Sequence, residues 1–170
     1  MRMIQCVTFA LVLVLLIKIS LADISGLPRV IDGDTIEISG ERIRLHGIDA
    51  PETRQSCVGV DGKQWDCGRQ STSVLTSLIG GRPIICKGRQ RDRYKRLIAV
   101  CFADRKDLNA EMVLQGWALA YRKYSTDYVI QEKVAQSERS GIWSGQFVSP
   151  WDWRQGKRLT SNVVKSCCKI

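Results

Sequence analysis

Residues 30–53 constrain the fold more than any other part of the chain, because they combine a tight turn with a cluster of charges. Ser39 and Gly40 separate two β-branched runs, TIEI and RIRLHGI, and this pattern predicts a β-hairpin. Four acids and two arginines surround the turn: Asp32, Asp34, Asp49, Glu52, Arg42 and Arg44. Because the ends of paired strands return to one another, we expect Asp34 to lie close to Asp49.

The residue types in this cluster indicate its chemistry. Carboxylates that gather without Cys or several His residues favour a hard, oxygen-loving cation such as Ca²⁺ over zinc. The mixture of acids and arginines suggests a phosphate held against that metal.

A second charged turn follows at residues 88–96, with the sequence GRQRDRYKR. Taken alone, it is typical of a solvated turn that its charges keep soluble. Arg44 on the earlier hairpin supplies another guanidinium, however, and two guanidiniums on different strands can grip a phosphoryl group through paired N–H donors. Such a pair binds the phosphoryl group more strongly as negative charge accumulates on its oxygens in the transition state.

The length of 170 residues suits one domain, preceded by a segment with its own composition. Residues 1–22 combine a positive start, an apolar run at residues 7–17 and small residues near residue 22, which predicts a secretory signal peptide. The apolar run is shorter than the roughly 20 residues of a spanning helix, so cleavage before Asp23 is favoured. The alternative is a membrane anchor formed by residues 7–17.

Charge and cysteine content agree with a secreted or periplasmic protein. The formal charge of +9 becomes +7 without Arg2 and Lys18, so the mature chain is basic and is expected to attract polyanions such as nucleic acid or an anionic cell surface. Six cysteines remain after Cys6 is removed, and an even number in an exported chain favours disulfides.

Two disulfides can be predicted from position. Cys86 and Cys101 lie in two strand-like runs joined by a basic turn, so we expect them to pair across a hairpin. Cys57 and Cys67 bracket a short polar loop and form the second expected pair, next to the acidic cluster. The spacings of a zinc site are missing from the sequence. The last two cysteines, at positions 167 and 168, are not assigned.

The patterning predicts strands before helices. Strands are expected at residues 29–38, 42–48, 82–86 and 97–102, and helices at 68–79, 108–115 and 127–140. Short antiparallel strands with helices between and after them suggest an α+β, mainly β, barrel with helical caps over residues 23–154. Residues 155–170 are predicted to be a basic tail.

Five motifs resemble, in order and spacing, the thermonuclease (staphylococcal nuclease-like) family: IDGDT, RLHGIDAPET, DRYKR, LNAEMVLQGWALAY and SGIWS. The similarity extends over about residues 29–153 and is closest to disulfide-containing exported members from Gram-negative bacteria. It implies an OB-fold, a five-stranded barrel capped by three helices. It also implies Ca²⁺-dependent hydrolysis of phosphodiester bonds in DNA and RNA that leaves 3′-phosphates.

The resemblance assigns roles to the acidic cluster. Asp34 and Asp49 look like the carboxylates of the calcium site, and Asp32 looks like the acid that supports it through water. Ala50 replaces a common Thr of the family but would bind the metal through its backbone carbonyl. Glu52 looks like the residue that orients, or takes a proton from, the attacking water.

The resemblance also assigns the residues that contact substrate. Arg44 and Arg96 look like the pair that holds the phosphate and stabilises the pentacoordinate transition state. Tyr94 and Tyr121 resemble ring-stacking and phosphate-touching tyrosines, and Tyr124 or Lys123 fills the next role. In the family, lysines follow the motif that corresponds to residues 49–52 here. In this chain they are replaced by Arg54-Gln55-Ser56.

Two functions remain open from the sequence. The first is an exported, monomeric nuclease with DNA and RNA as substrates and no obligate protein partner. The second is a catalytically weak OB-fold module of the cell envelope that binds nucleic acid or another anionic polymer. Glu52 and Arg96 favour the nuclease, because binding alone does not require them.

Overall fold

The computed structural model describes residues 23–159. The predicted signal peptide, Cys167 and Cys168, and most of the predicted tail lie outside these residues. Within residues 23–159, no helix has the length and the apolar character needed to cross a membrane.

The described chain alternates short strands with a few helices. The strands are β1 Ile24–Gly26, β2 Arg29–Asp32, β3 Thr35–Ile38, β4 Glu41–Leu45, β5 Ile48–Asp49, β6 Cys57–Val58, β7 Gln64–Trp65, β8 Ile84–Arg91, β9 Leu97–Ala103, β10 Lys106–Asp107 and β11 Leu119–Ala120. The helices are α1 Cys67–Ile79, α2 Leu108–Leu114, α3 Val129–Ser137 and α4 Pro150–Arg154, with a 3₁₀ turn at Gly141–Ser144.

One mixed sheet organises the domain. Its strand order is β1-β8-β9-β4-β3-β2, with β10 paired to β9, and β4 runs parallel to β9 while its other pairs are antiparallel. Five strands, β2, β3, β4, β8 and β9, are the longest of this sheet. Together with α1, α2 and α3 they confirm the predicted α+β architecture, an OB-fold sheet capped by three helices.

The sheet bends back on itself through close packing. No hydrogen-bonded ladder joins β1 to β2 in the part of the chain that is described. Instead, the end of β1 lies against β3, where a β-carbon on Gly26 would come 2.9 Å from Ile38 Cγ2. Gly26 has φ +154°, so the chain uses glycine here both for its conformation and for its small size.

The prediction of one strand over residues 29–38 is wrong. The chain forms two strands, β2 and β3, which pair with each other around a turn at Gly33 and Asp34. The turn packs tightly on α1, because a β-carbon on Gly33 would lie 2.1 Å from Ser71 Oγ. This break falls at Asp32-Gly33, a turn signal between β-branched residues, and it places Asp34 at a strand end.

A buried apolar core lies between the sheet and the helices. Its largest fully buried side chains include Ile36, Ile43, Leu45, Leu75, Leu108 and Met112. A smaller cluster surrounds Cys57, Cys67, Leu119 and Ile142, with tryptophans packed around it. Both expected disulfides are present: Cys57 pairs with Cys67, and Cys86 pairs with Cys101 across β8 and β9.

Candidate active site

Asp34 is held in place by its neighbours at the β2–β3 turn. Its side chain is buried, and its Oδ2 accepts a 2.8 Å hydrogen bond from the backbone N–H of Ala50. The Asp34 N–H donates to Asp32 Oδ1 at 3.0 Å, and the Thr35 hydroxyl donates to Asp34 Oδ1 at 3.1 Å. These bonds join the turn to the segment after β5, so two motifs of the sequence meet at one carboxylate.

Arg44 connects the two acids that the hairpin was expected to bring together. It lies on β4 opposite Thr35, and its guanidinium forms ion pairs with Asp34 Oδ1 through Nη1 and with Asp49 Oδ1 through Nη2, the latter at 2.6 Å. Burial lowers the pKa of Arg44, whereas the charge of Asp49 acts in the opposite direction. Arg44 therefore offsets part of the negative charge of Asp34 and Asp49 in a place that water reaches poorly.

Glu52 lies on a loop that is fixed at several points. Its backbone N–H donates to Gln55 Oε1 at 3.2 Å, and the buried Gln55 side chain donates in turn to the carbonyl of Val148 at 2.6 Å. The loop also presses against α1, since a β-carbon on Gly68 would come 1.8 Å from the Glu52 carbonyl. The Glu52 side chain itself is 39% exposed, so its carboxylate can meet a ligand from solvent.

Arg96 is oriented by the turn in which it lies. Its Nε donates to Asp92 Oδ2 at 2.8 Å, and its Nη2 lies 2.7 Å from the same oxygen. Asp92 Oδ1 accepts from the backbone N–H groups of Tyr94 and Arg96. Burial alone would raise the pKa of Asp92, but the hydrogen bonds from Arg96 and Tyr94 outweigh it and keep that pKa below its ordinary value.

Arg96 also reaches the acidic cluster. Its Nη1 donates to Thr35 Oγ1 at 3.3 Å, and that hydroxyl is the donor to Asp34. Both arginines of the predicted pair thus border Asp34, Arg44 directly and Arg96 through Thr35.

The three predicted substrate tyrosines differ in their exposure and in their contacts. Tyr94 is 64% exposed, and the guanidinium of Arg96 lies 5.6 Å from the centre of its ring. Tyr121 follows β11, which pairs with β5, and its ring stacks on Trp151 at 5.4 Å with an interplanar angle of 1°. Tyr124 is exposed and contacts Tyr121 edge to face.

Arg154, at the end of α4, pairs with two acids of the acidic cluster. Its Nη1 lies 3.0 Å from Asp49 Oδ1 and its Nη2 lies 2.7 Å from Asp49 Oδ2. Nη1 also donates to Glu52 Oε1 at 2.7 Å. Burial alone would lower the pKa of Arg154, but the hydrogen bonds to Asp49 and Glu52 outweigh it and raise that pKa. One guanidinium therefore joins the two acids to which the sequence assigned different roles.

The donors fit a hard cation, although they do not form a complete cage. Among residues 23–159, no group of three or more His, Cys, Asp and Glu side chains is arranged to hold a metal. Asp34 and Asp49 offer two carboxylates, and the Ala50 carbonyl and water would have to complete the oxygen ligands that calcium prefers. Burial raises the pKa of Asp32, and the nearby Arg44 and Thr35 only partly oppose this effect.

Three residues that matter for this geometry were not predicted: Gln55, Asp92 and Arg154. Asp92 could have been found, because an Asp at the start of a turn commonly accepts hydrogen bonds from the backbone two residues later. Gln55 carries no comparable sequence signal. The start of α4 was visible in Ser149-Pro150-Trp151-Asp152, which has a capping Ser, a Pro in the first turn and an acid at the third helical position.

Comparisons with known proteins point to one family. The model of a family described as staphylococcal nuclease homologues matches residues 42–145. An uncharacterized endonuclease of Escherichia coli O157:H7 is 40% identical over 145 residues, which cover 80% of this chain and 88% of that protein. A micrococcal nuclease of Shigella flexneri is 31% identical over 160 residues, covering 83% of this chain and 86% of the relative.

A further relative is named for biosynthesis and not as a nuclease. The succinoglycan biosynthesis protein ExoI of Rhizobium meliloti (strain 1021) is 41% identical over 129 residues. The match covers 72% of this chain and 66% of that protein, just under two thirds of its length.

Proposed function

Because the chain belongs to the staphylococcal nuclease family, whose model matches residues 42–145, we propose that it is an exported, Ca²⁺-dependent nuclease. It hydrolyses phosphodiester bonds in DNA and RNA and leaves 3′-phosphates. Family membership supports nuclease activity on nucleic acids, and the acidic site supplies the reasons for the finer assignment. The two disulfides are typical of proteins outside the cytoplasm, which supports export.

The observation that carries this proposal is the arrangement of Arg44, Asp34, Asp49 and Glu52. Arg44 is anchored by two buried acids, while Glu52 is partly exposed beside them. A site for phosphodiester hydrolysis needs positive charge for the phosphate oxygens and a carboxylate near the attacking water. Anionic polymer binding alone explains the positive charge but does not require a partly exposed carboxylate next to it.

In the proposed reaction, the oxygen of a water molecule forms a bond to phosphorus and the bond from phosphorus to the 5′ oxygen breaks. Glu52 orients this water or accepts its proton, and the departing 5′ oxygen takes a proton from solvent. Arg44 and Arg96 donate hydrogen bonds to the phosphate oxygens that gain charge in the pentacoordinate transition state. The products are a 3′-phosphate and a 5′-hydroxyl.

Asp34, Asp49 and the Ala50 carbonyl would hold the calcium ion, with Asp32 supporting it through water. When bound, the ion supplies Lewis-acid polarisation of the phosphate and a lower pKa for coordinated water.

Substrate binding outside the reacting phosphate falls to the exposed aromatic and basic side chains. Tyr94 and Tyr124 are exposed, and base stacking on such rings is tolerant of sequence. Tyr94 lies within the basic turn at residues 88–96, which suits a single strand that can bring its phosphates to the arginines.

The decisive experiment is cleavage of single-stranded DNA and RNA by the purified, oxidised chain of residues 23–170. Each oligonucleotide carries a 5′ fluorescent label, and the reaction is run with Ca²⁺ and with EGTA. We expect cutting only with Ca²⁺, and a product whose mobility changes after its 3′-phosphate is removed enzymatically. Glu52→Gln should lower kcat by about 10²–10³-fold or more, the range for loss of a preorganised catalytic group.

Glu138→Gln is the matched control, because Glu138 is an exposed acid at the end of α3. It should leave the rate unchanged. Full activity of Glu52→Gln would remove Glu52 from the mechanism, and cutting in EGTA would remove calcium from it. Salt-sensitive binding without cutting would instead favour the OB-fold binding module.

A further inference from the structure

We propose that Arg154 is an internal competitor for the metal: its guanidinium occupies Asp49 and Glu52 until a divalent cation displaces it. This inference rests on the proposed function, since it concerns the calcium site of the nuclease. It assigns a role to a residue beyond position 145, where the match to the family model ends.

Arg154 contacts both a proposed metal ligand, Asp49, and the proposed catalytic acid, Glu52. Arg154 takes both carboxylate oxygens of Asp49, with N···O distances of 3.0 Å and 2.7 Å, and also Oε1 of Glu52. Asp49 Oδ1 additionally accepts from Arg44 at 2.6 Å. A cation that binds the same oxygens must remove at least part of this network, because a guanidinium and a metal ion cannot share one lone pair.

Arg154 is placed there by the anchoring of α4 and is not a chance contact of a free tail. The Ser149 hydroxyl caps the helix, Pro150 is buried, and Trp151 stacks on Tyr121. Lys157, just after the helix, is tied back to it, because its ammonium lies 2.7 Å from Asp152 Oδ1. The helix therefore presents Arg154 to the acids in a reproducible direction.

The structure also provides room for the displaced side chain. A cleft of about 390 Å³ adjoins Glu52 and is lined by Glu52, Thr53, Arg54, Trp153, Arg154 and Arg158. The Arg154 side chain is already 39% exposed, so its guanidinium can turn into this cleft and be solvated there while α4 stays in place. Exchange of arginine for metal then requires rotation of one side chain and no unfolding.

Competition of this kind makes a quantitative prediction. Metal can bind only those molecules in which Arg154 does not cover the acids, so the apparent affinity is the intrinsic affinity multiplied by the fraction of uncovered molecules. Arg154→Ala should therefore bind Ca²⁺ more tightly than the unsubstituted protein, by about tenfold or more, if the acids are covered in at least nine molecules of ten. Calcium titrated into the protein without substrate, followed by calorimetry, measures this affinity directly.

Arg158→Ala is the matched control for charge. Arg158 lines the same cleft, but its guanidinium lies over the ring of Trp153 and donates to backbone carbonyls. Its removal takes away the same formal charge without freeing the acids, so we expect a change in calcium affinity of about twofold or less. Arg154→Lys keeps the charge but lacks the planar fork, and should give an affinity between those of the unsubstituted protein and Arg154→Ala.

The outcomes separate this inference from the nuclease assignment. Equal or weaker calcium binding by Arg154→Ala would overturn the competition, even if the unsubstituted protein cuts DNA. An affinity of Arg154→Lys equal to that of the unsubstituted protein would also overturn it, because charge alone would then explain the effect. Tighter binding by Arg154→Ala in a protein that cuts no nucleic acid would support the competition and reject the nuclease.

Discussion

We expect Asp92→Asn to lower the cleavage rate by about 10–100-fold, although Asp92 contacts neither the acidic cluster nor Glu52. Asp92 acts through Arg96, which it holds with hydrogen bonds from Nε at 2.8 Å and from Nη2 at 2.7 Å to one carboxylate oxygen. Small misplacements of a catalytic group can cost about 10²-fold in rate. An Arg96 side chain released from Asp92 would still be present but would no longer point at the phosphate.

The cost to stability should be much smaller than the cost to activity. The substituted amide keeps one oxygen for the backbone N–H groups of the turn, but it presents an NH₂ group where Arg96 needs an acceptor. Hydrogen bonds to charged groups contribute about 1.5–3 kcal/mol. Because the side chains of Asp92 and Arg96 are 17% and 25% exposed, solvent screens part of this energy, and we expect a loss of about 1–2 kcal/mol.

The pH dependence gives an independent check on the same contact. The pKa of Asp92 is depressed in the folded protein, so its contribution to stability is fully present above the ordinary Asp pKa of about 3.9. It is lost as the pH falls through the lower, folded-state pKa. The difference in unfolding free energy between the unsubstituted protein and Asp92→Asn should therefore be constant near neutrality and shrink below about pH 4.

The assay compares initial rates on single-stranded DNA at saturating Ca²⁺ with urea unfolding curves of the same proteins. Asp61→Asn is the control, because Asp61 also accepts a turn N–H, from Lys63 at 3.0 Å, in a loop away from Arg96. It should leave the rate unchanged. A rate for Asp92→Asn equal to that of the unsubstituted protein, with Arg96→Ala inactive, would show that Arg96 needs no such support.

Two further predictions concern the loop that carries Glu52. Gln55→Leu removes the partners of the Glu52 N–H and the Val148 carbonyl, so we expect a loss of about 2–4 kcal/mol in unfolding free energy and a lower cleavage rate. Thermal unfolding and DNA cleavage measure these two effects, and an unchanged melting temperature would contradict the prediction. Replacing Cys57 and Cys67 by Ala should lower the free energy of unfolding by about 3 kcal/mol and lower kcat in the folded protein. Replacing Cys86 and Cys101, which form the disulfide between β8 and β9, should lower stability with little change in kcat.

Several local features of this chain could be predicted because they depend on neighbouring residues. The Ser39-Gly40 turn forms as expected, with both residues at positive φ, 51° and 83°. Helix α1 ends at Ile79, as predicted, and Gly80 follows it in the left-handed conformation that favours glycine. The opposition of Cys86 and Cys101 follows from the hairpin between them.

The arrangement around Asp49 could not be predicted in the same way. Arg154 is separated from Asp49 by 105 residues, and it reaches the acid through the anchoring of α4, to which the stacking of Trp151 on Tyr121 contributes. Helix α4 has five residues, too few for a hydrophobic period to be recognised. Its capping residues indicate where the helix starts, but no local rule states what its last side chain will meet.

The buried acids and the exposed acid of this site must be distinguished when function is tested. Removing a partner from a buried ion pair costs about 3–5 kcal/mol, because the remaining charge is left without compensation. Asp49 is fully buried between Arg44 and Arg154, so its replacement would leave two guanidiniums without this partner and damage the fold together with any metal site.

Glu52 and Arg154 are different, since the side chain of each is 39% exposed and solvent can compensate the partner that remains. A loss of activity in an Asp49 variant is therefore compatible with a purely structural role for the acid. The same loss of activity in Glu52→Gln, with stability retained, would require a catalytic role for Glu52. Arg154 bonds to the buried Asp49 and to the exposed Glu52, so Arg154→Ala should lower the unfolding free energy in the absence of calcium and lower it less when calcium is bound. This difference separates competition for the metal from simple support of the fold.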